Sequence, residues 1–163
     1  MHGAYEEYMS VTLRKVTKDD IRTVWEMQIE AFKDLLAVYQ DYEMSPGAES
    51  FDKVEARFNQ PWTTYFFIVA GDTDVGVIRV VDKKDGSRKR ISPLWIMKEF
   101  RGLGFAQEAI LAVEKIYGSD NWCLDTILQE KGNCHLYEKM GYHHTGRIDN
   151  INERMDIVYY EKD

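Results

Sequence analysis

The chain has 163 residues, 44% hydrophobic and 13% aromatic, enough for a single domain with its own core. A formal charge of -7 sets it against the phosphate backbone of DNA or RNA, which excludes nucleic acid as its main partner. No apolar run nears the roughly 18 residues of a membrane span, and Met1-His2-Gly3-Ala4-Tyr5-Glu6-Glu7-Tyr8 lacks the basic-then-apolar build of a signal peptide. The expectation is a cytoplasmic protein without membrane contact, monomer or homodimer. Its two cysteines, Cys123 and Cys134, are expected as free thiols. Neither has CxxC spacing and the four histidines form no ligand pattern, so no metal is expected.

Val11 to Val16 alternates and reads as a strand. A helix starts between Thr17 and Asp20, where two aspartates suit a positive N-terminus, and Ile21, Val24, Trp25, Ile29 and Phe32 fall near helical spacing. Leu35 and Leu36 extend it. Met44-Ser45-Pro46-Gly47 breaks the pattern. Ser50 is placed as the N-cap of a second helix, about Phe51 to Phe58, ended near Pro61. Tyr65 to Ala70 and Val75 to Val81 read as a hairpin turned by Gly71-Asp72-Thr73-Asp74.

Lys83 to Ser87 turns the chain into a further strand, Arg90 to Met97. Phe105 to Tyr117 reads as a helix, Trp122 to Leu128 as a strand, and Gly132 to Met140 as a short helix ended by Gly141. Two closing strands, Tyr142 to Ile148 and Met155 to Glu161, flank a polar connection, Asp149 to Glu153. This order predicts an α/β mixed sheet with helices on its faces. No linker interrupts it, so residues 10–163 are taken as one domain and 1–9 as an extension.

Arg101-Gly102-Leu103-Gly104-Phe105-Ala106 lies at a strand-to-helix junction. Glycines there let backbone amides approach an anion, and the helix N-terminus adds its positive dipole end. The dinucleotide fingerprint lacks its third glycine, since position 107 is Gln, and the Gly-Lys-Ser/Thr ending of the triphosphate loop is absent. What remains is R-x-x-G-x-A. It resembles the pyrophosphate-binding signature of the GNAT acyltransferases (Gcn5-related N-acetyltransferases), Q/R-x-x-G-x-G/A. A second block, Asn133-Cys134-His135-Leu136-Tyr137-Glu138-Lys139-Met140-Gly141-Tyr142, is similar to that family's late L-Y-E-K-x-G-F/Y helix.

The resemblance runs from about Ser10 to the C-terminus. It implies the GNAT fold, a mixed sheet of about seven strands flanked by about four helices, and acetyl-CoA-dependent N-acetyl transfer to a primary amine by direct attack in a ternary complex. Two alternatives stay open: a protein or peptide N-terminal or lysine acetyltransferase, and a non-catalytic acyl-CoA-binding module. By resemblance, Leu94 and Ile96 bind the pantetheine arm through their backbone, as an added strand does. Arg101, Gly102, Leu103, Gly104, Phe105 and Ala106 hold the pyrophosphate, and Tyr137 protonates the leaving thiolate.

Lys98 stands where the family often has Pro, and Pro93, further up the strand, is placed at a bulge. Glu130 stands where many members carry a pantetheine-binding Asn. Asn133, which shares a helix face with Tyr137, either takes over that contact or caps the helix. Ile91 to Met97 contains no acid, so the variant with a base on that strand is excluded. Glu30, Asp125 and Glu130 are the remaining candidates for the base. The acceptor side is expected on the first helix and the loop to Met44, through Glu30, Tyr39 and Asp41, because aromatics with carboxylates suit an ammonium-bearing substrate.

Overall fold

The computed structural model describes residues 10–163, and the extension read at 1–9 lies outside the described residues. Seven strands form one sheet: β1 (Val11–Lys15), β2 (Thr63–Ala70), β3 (Thr73–Val81), β4 (Lys89–Ile96), β5 (Trp122–Ile127), β6 (His143–Asn152) and β7 (Met155–Lys162). Their order across the sheet is β1-β2-β3-β4-β5-β7-β6. Every neighbouring pair is antiparallel except β4 and β5. The helices are α1 (Ile21–Tyr39), α2 (Phe51–Phe58), α3 (Phe105–Tyr117) and α4 (Lys131–Lys139).

Both faces of the central strands are covered, which is why Tyr65 to Ala70 is apolar throughout. Tyr65 and Phe67 pack with Val77 and Trp95 beneath α1 and α2. Phe66 and Ile68 pack with Ile78 and Ile96 beneath α3. The helix starts follow their local chemistry. Thr17 and Asp20 form a capping box ahead of α1, and Ser50 Oγ accepts from the Lys53 amide at 3.3 Å.

The closing hairpin differs from the expectation. β6 continues to Asn152, so only Glu153 and Arg154 turn the chain, where a connection over 149–153 is predicted. β6 is an edge strand and largely exposed, so it carries polar side chains with no buried face to give it an alternating pattern. Its tip has a further use. Asn152 Nδ2 donates to the Tyr39 carbonyl at 2.9 Å, satisfying an acceptor at the end of α1.

β4 carries the bulge expected at Pro93. Ile78 faces Leu94 but Val80 faces Ile91, which leaves an extra residue on β4 at Ser92–Pro93. The buried Arg79 guanidinium clamps this bulge, donating to the Ser92 carbonyl at 2.7 Å. Burial pulls the Arg79 pKa down to about 10. Below the bulge β4 pairs with β5 only at Lys89↔Trp122 and Arg90↔Cys123, and beyond those residues the strands part.

Glu49 ties the segment after α1 back onto the helices. Its carboxylate accepts from Gln28 Nε2 at 2.8 Å and from Arg57 Nη1 and Nη2 at 3.0 and 2.5 Å, and its carbonyl accepts from Trp25 Nε1 at 2.8 Å. Burial pushes this carboxyl up, but the Arg57 pair and Gln28 outweigh it and hold it below the ordinary glutamate value. Among the described residues no helix is long and apolar enough to cross a membrane.

Two outcomes follow for stability. A Cβ added at Gly76 would lie 2.1 Å from the Trp95 carbonyl oxygen, a backbone atom that moves only if β3 and β4 separate. Gly76→Ala is expected to cost about 1–3 kcal/mol, read as a lower melting temperature; unchanged melting would mean the strands separate freely. For Glu49 the depressed pKa places its contribution above the unfolded value of about 4.3 and removes it as pH falls through the lower folded value. Glu49→Gln should therefore destabilise by about 2 kcal/mol at pH 7, with the gap to wild type closing in urea titrations below about pH 4. An equal gap at both pH values would show that the charge contributes nothing.

Candidate active site

A cleft of about 510 Å³ opens where β4 leaves β5. One wall is α1, through Ala31, Phe32 and Leu35; another is the end of β4, Leu94 to Ile96; a third is α4, through Asn133, Leu136 and Tyr137. The α3 N-terminus closes one end.

Alternation of the backbone decides what β4 offers. The Met97 amide donates to the Val75 carbonyl of β3 at 2.8 Å. The Leu94 and Ile96 amides therefore point away from β3, toward the side that β5 has vacated. An unpaired strand edge thus lines the cleft beside Leu94 and Ile96, as expected of a strand-addition site.

Gly102 and Gly104 take φ of 80° and 85°, the left-handed region that favours glycine. Gly104 is the N-cap of α3, and the first intrahelical bond is Glu108 N to the Gly104 carbonyl at 3.1 Å. The amides of Phe105, Ala106 and Gln107 precede that bond and have no intrahelical acceptor. A row of free amides at a positive helix end, with open space around Gly102, fits a pyrophosphate.

Two members of the expected cradle are placed differently. Arg101 turns away from it: Nε donates to the Ile96 carbonyl at 2.8 Å, Nη2 to the Ala31 carbonyl at 2.9 Å, and its amide to the Lys98 carbonyl at 3.3 Å. It staples β4 to α1 through Nε and Nη2. The Leu103 side chain is exposed and does not line the cleft. Gln107 lines it instead. Its place in the first turn of α3 is the signal that could have found it.

Glu130 is the N-cap of α4, so Asn133 does not cap that helix. Glu130, Asn133 and Tyr137 lie at i, i+3 and i+7, one helical face, and all three line the cleft. Tyr137 stands edge-on to Tyr142, ring centroids 6.0 Å apart. Its hydroxyl has no hydrogen-bond partner among the described residues. Burial, with smaller contributions from Asp125 and Cys134, pushes the phenol well above the ordinary tyrosine value, so it remains a proton donor at neutral pH.

The acceptor residues expected on α1 and its loop separate. Glu30 is exposed, pairs with Lys33 at 3.1 Å and lies outside the cleft. Asp41 is buried, its pKa raised by that burial, and it too lies outside the cleft. Tyr39 is buried at the end of α1 and donates to Glu130 Oε2 at 2.5 Å. Of the remaining candidate bases, Asp125 is held by Arg90 at 2.6 Å, while Glu130 is in the cleft. Phe32, Leu35 and Trp95 also line the cleft. Both cysteines are free thiols. His143, Glu161 and Asp163 offer ligand atoms within 4.8 Å of one another on the surface, but Arg88 already pairs with both acids.

The fold is similar to several solved acetyltransferases. Spermidine N-acetyltransferase from Vibrio cholerae, in complex with CoA and spermine, superposes with TM-score 0.70 at 21% identity, covering 93% of this chain and 94% of that one. An acetyltransferase from Salmonella typhimurium that modifies the N-terminal serine of the 50S ribosomal subunit protein L7/L12 gives 0.71 at 13% identity, covering 93% of each chain. An acetyltransferase from Thermus thermophilus gives 0.67 at 14% identity, covering 94% of this chain and 96% of that one. No curated protein sequence matches the chain significantly. The sequence model of the acetyltransferase (GNAT) family matches residues 25–142, well over half the chain. With that match, the parted strands and the amide row at α3, the chain belongs to the GNAT acetyltransferase family and is an acetyl-CoA-dependent acyltransferase.

Proposed function

We propose that the chain transfers the acetyl group of acetyl-CoA to a primary amine, by direct attack within a ternary complex. The observation that carries this is one cleft holding both halves of the reaction: free amides at the α3 N-terminus at one end, Tyr137 on the α4 wall, and an aromatic, acid-bearing end against α1. The pyrophosphate sits on the amides of residues 102–107, and the pantetheine arm adds to the β4 edge at Leu94 and Ile96. An outward amide of β4 polarises the thioester carbonyl. Asn133, facing the same cleft with no cap to make, contacts the arm.

The amine nitrogen attacks the carbonyl carbon, the new C–N bond forms, and the C–S bond breaks. The departing thiolate takes a proton from the Tyr137 hydroxyl, and the proton lost by nitrogen restores the phenol through water. An acceptor that arrives as an ammonium ion releases one further proton to solvent. Holding both reactants in one cleft removes much of the entropic barrier. Among the structural neighbours, one is named for spermidine and another for a ribosomal protein's N-terminus; both are amines, which supports the acceptor class.

Two substitutions test the two halves. At Gly104, held at φ 85°, Ala adds conformational strain of about 1–2 kcal/mol, whereas Glu adds the same strain and a negative charge where phosphate belongs. Gly104→Glu should lose acetyl-CoA binding by about 100-fold or more in calorimetry while Gly104→Ala retains most of it, both with near-wild-type circular dichroism. Equal affinities for the two would move the cofactor elsewhere.

Tyr137→Phe keeps the ring against Tyr142 but removes the acid. General-acid help is worth about 10²–10⁴-fold, and kcat should fall within that range with acetyl-CoA affinity little changed. A Phe enzyme turning over at the wild-type rate would leave Tyr137 as a packing residue.

A further inference from the structure

We propose that the acceptor is a cationic amine and that Glu130, oriented by Tyr39, is the carboxylate that anchors it. This deepens the acetyl-transfer reading and rests on it.

Only two charged side chains line the cleft, Arg101 and Glu130. Arg101 gives Nε and Nη2 to the carbonyls of Ile96 and Ala31. Among the described residues, Glu130 is the only carboxylate that lines the cleft.

The carboxylate is held for use. Tyr39 Oη donates to Oε2 at 2.5 Å. Burial, reinforced by Glu130, raises the Tyr39 phenol to about 12, so the proton stays on the phenol. Glu130 Oε1 has no partner among the described residues. Tyr39 is itself fixed by packing against Met155 and Ile157, with Leu35 and Ile127 around them. One oxygen is thus pinned by a rigid phenol and the other is left to the ligand.

The surroundings select the sign of that ligand. Phe32, Trp95 and Leu35 line the same cleft, and the Phe32 and Trp95 rings meet edge to face 5.9 Å apart. A carboxylate beside such walls is poorly screened, so it favours a cation over a neutral guest, and the aromatic faces favour a cation too.

The test uses four acceptors in a CoA-thiol release assay: spermidine, lysine amide and a serine-initiated peptide amide as cations, and aniline as an amine uncharged at neutral pH. Glu130→Gln keeps the shape and can still accept from Tyr39. It should raise the KM of the cationic acceptors that the wild type uses by about 10- to 100-fold, far more than it raises that of aniline, and leave acetyl-CoA affinity by calorimetry at the wild-type value. Tyr39→Phe should raise the same KM by a smaller factor with kcat held, as befits a positioning residue. Unchanged cation KM in Glu130→Gln, a wild type that acetylates aniline but none of the cations, or a loss of acetyl-CoA affinity in Glu130→Gln would each overturn the proposal; the last would put Glu130 on the pantetheine arm. A wild type that acetylates none of the four would instead overturn the transfer reading itself.

Discussion

The parting of β4 from β5 is the constraint on which the rest of the molecule depends. Two parallel neighbours in the middle of a sheet normally pair along their length, because an unpaired amide or carbonyl is costly once water is excluded. Here the ladder stops at Arg90↔Cys123. The cause lies on β4 itself. A bulge at Ser92–Pro93 shifts its register against β3, and proline has no N–H to offer a ladder. Arg79 fixes the bulge from one side through the Ser92 carbonyl, and Arg101 takes the Ile96 carbonyl at the far end. The edge so exposed has the form that strand addition of an extended ligand requires, which is why the proposed pantetheine site lies there.

Two helix N-termini face the opened cleft, and they are finished in opposite ways. The α3 N-terminus begins with Gly104, which brings no side chain, so its first amides remain bare. It attracts an anion. The α4 N-terminus begins with Glu130, whose side chain makes no cap hydrogen bond and accepts from Tyr39 through one oxygen. In the proposed reading it receives a cation. A chain with a formal charge of -7 would repel CoA phosphates on charge alone, so the phosphate end depends on local amide geometry. The same overall acidity works with Glu130 toward an ammonium-bearing acceptor.

What is legible in the sequence is what short-range patterns encode. The Phe105–Tyr117 helix and the Phe51–Phe58 helix fall where periodicity and capping residues place them. The junction glycines at 102 and 104 announce the positive φ that the backbone adopts there. The misplacements among the site residues are long-range. Nothing local says that Arg101 reaches Ala31, 70 residues away, or that Tyr39 reaches Glu130, 91 residues away. Glu30 and Asp41 attract attention because they lie near Tyr39 in sequence, but helical phase turns Glu30 outward and the loop buries Asp41 away from the cleft. β6 reads short because an exposed edge strand has no buried face to impose alternation.

Those two long-range bonds together explain how the acceptor wall keeps its place. α1 is a 19-residue helix whose apolar stripe rests on the sheet through Ile21, Val24 and Ala31. Packing alone allows a helix to slide or rock. Arg101 fastens the middle of α1, at Ala31, to the strand that bears the docking edge, and Tyr39 fastens its end to the helix that bears Tyr137. The wall facing the acceptor is thereby tied to both walls that hold the acyl donor. Direct attack gains most when the reacting atoms are held within a fraction of an ångström before the chemistry begins. In the proposed reaction the stapling arginine acts on geometry: through Nε and Nη2 it sets the distance between the strand edge and α1, and so between the two substrates.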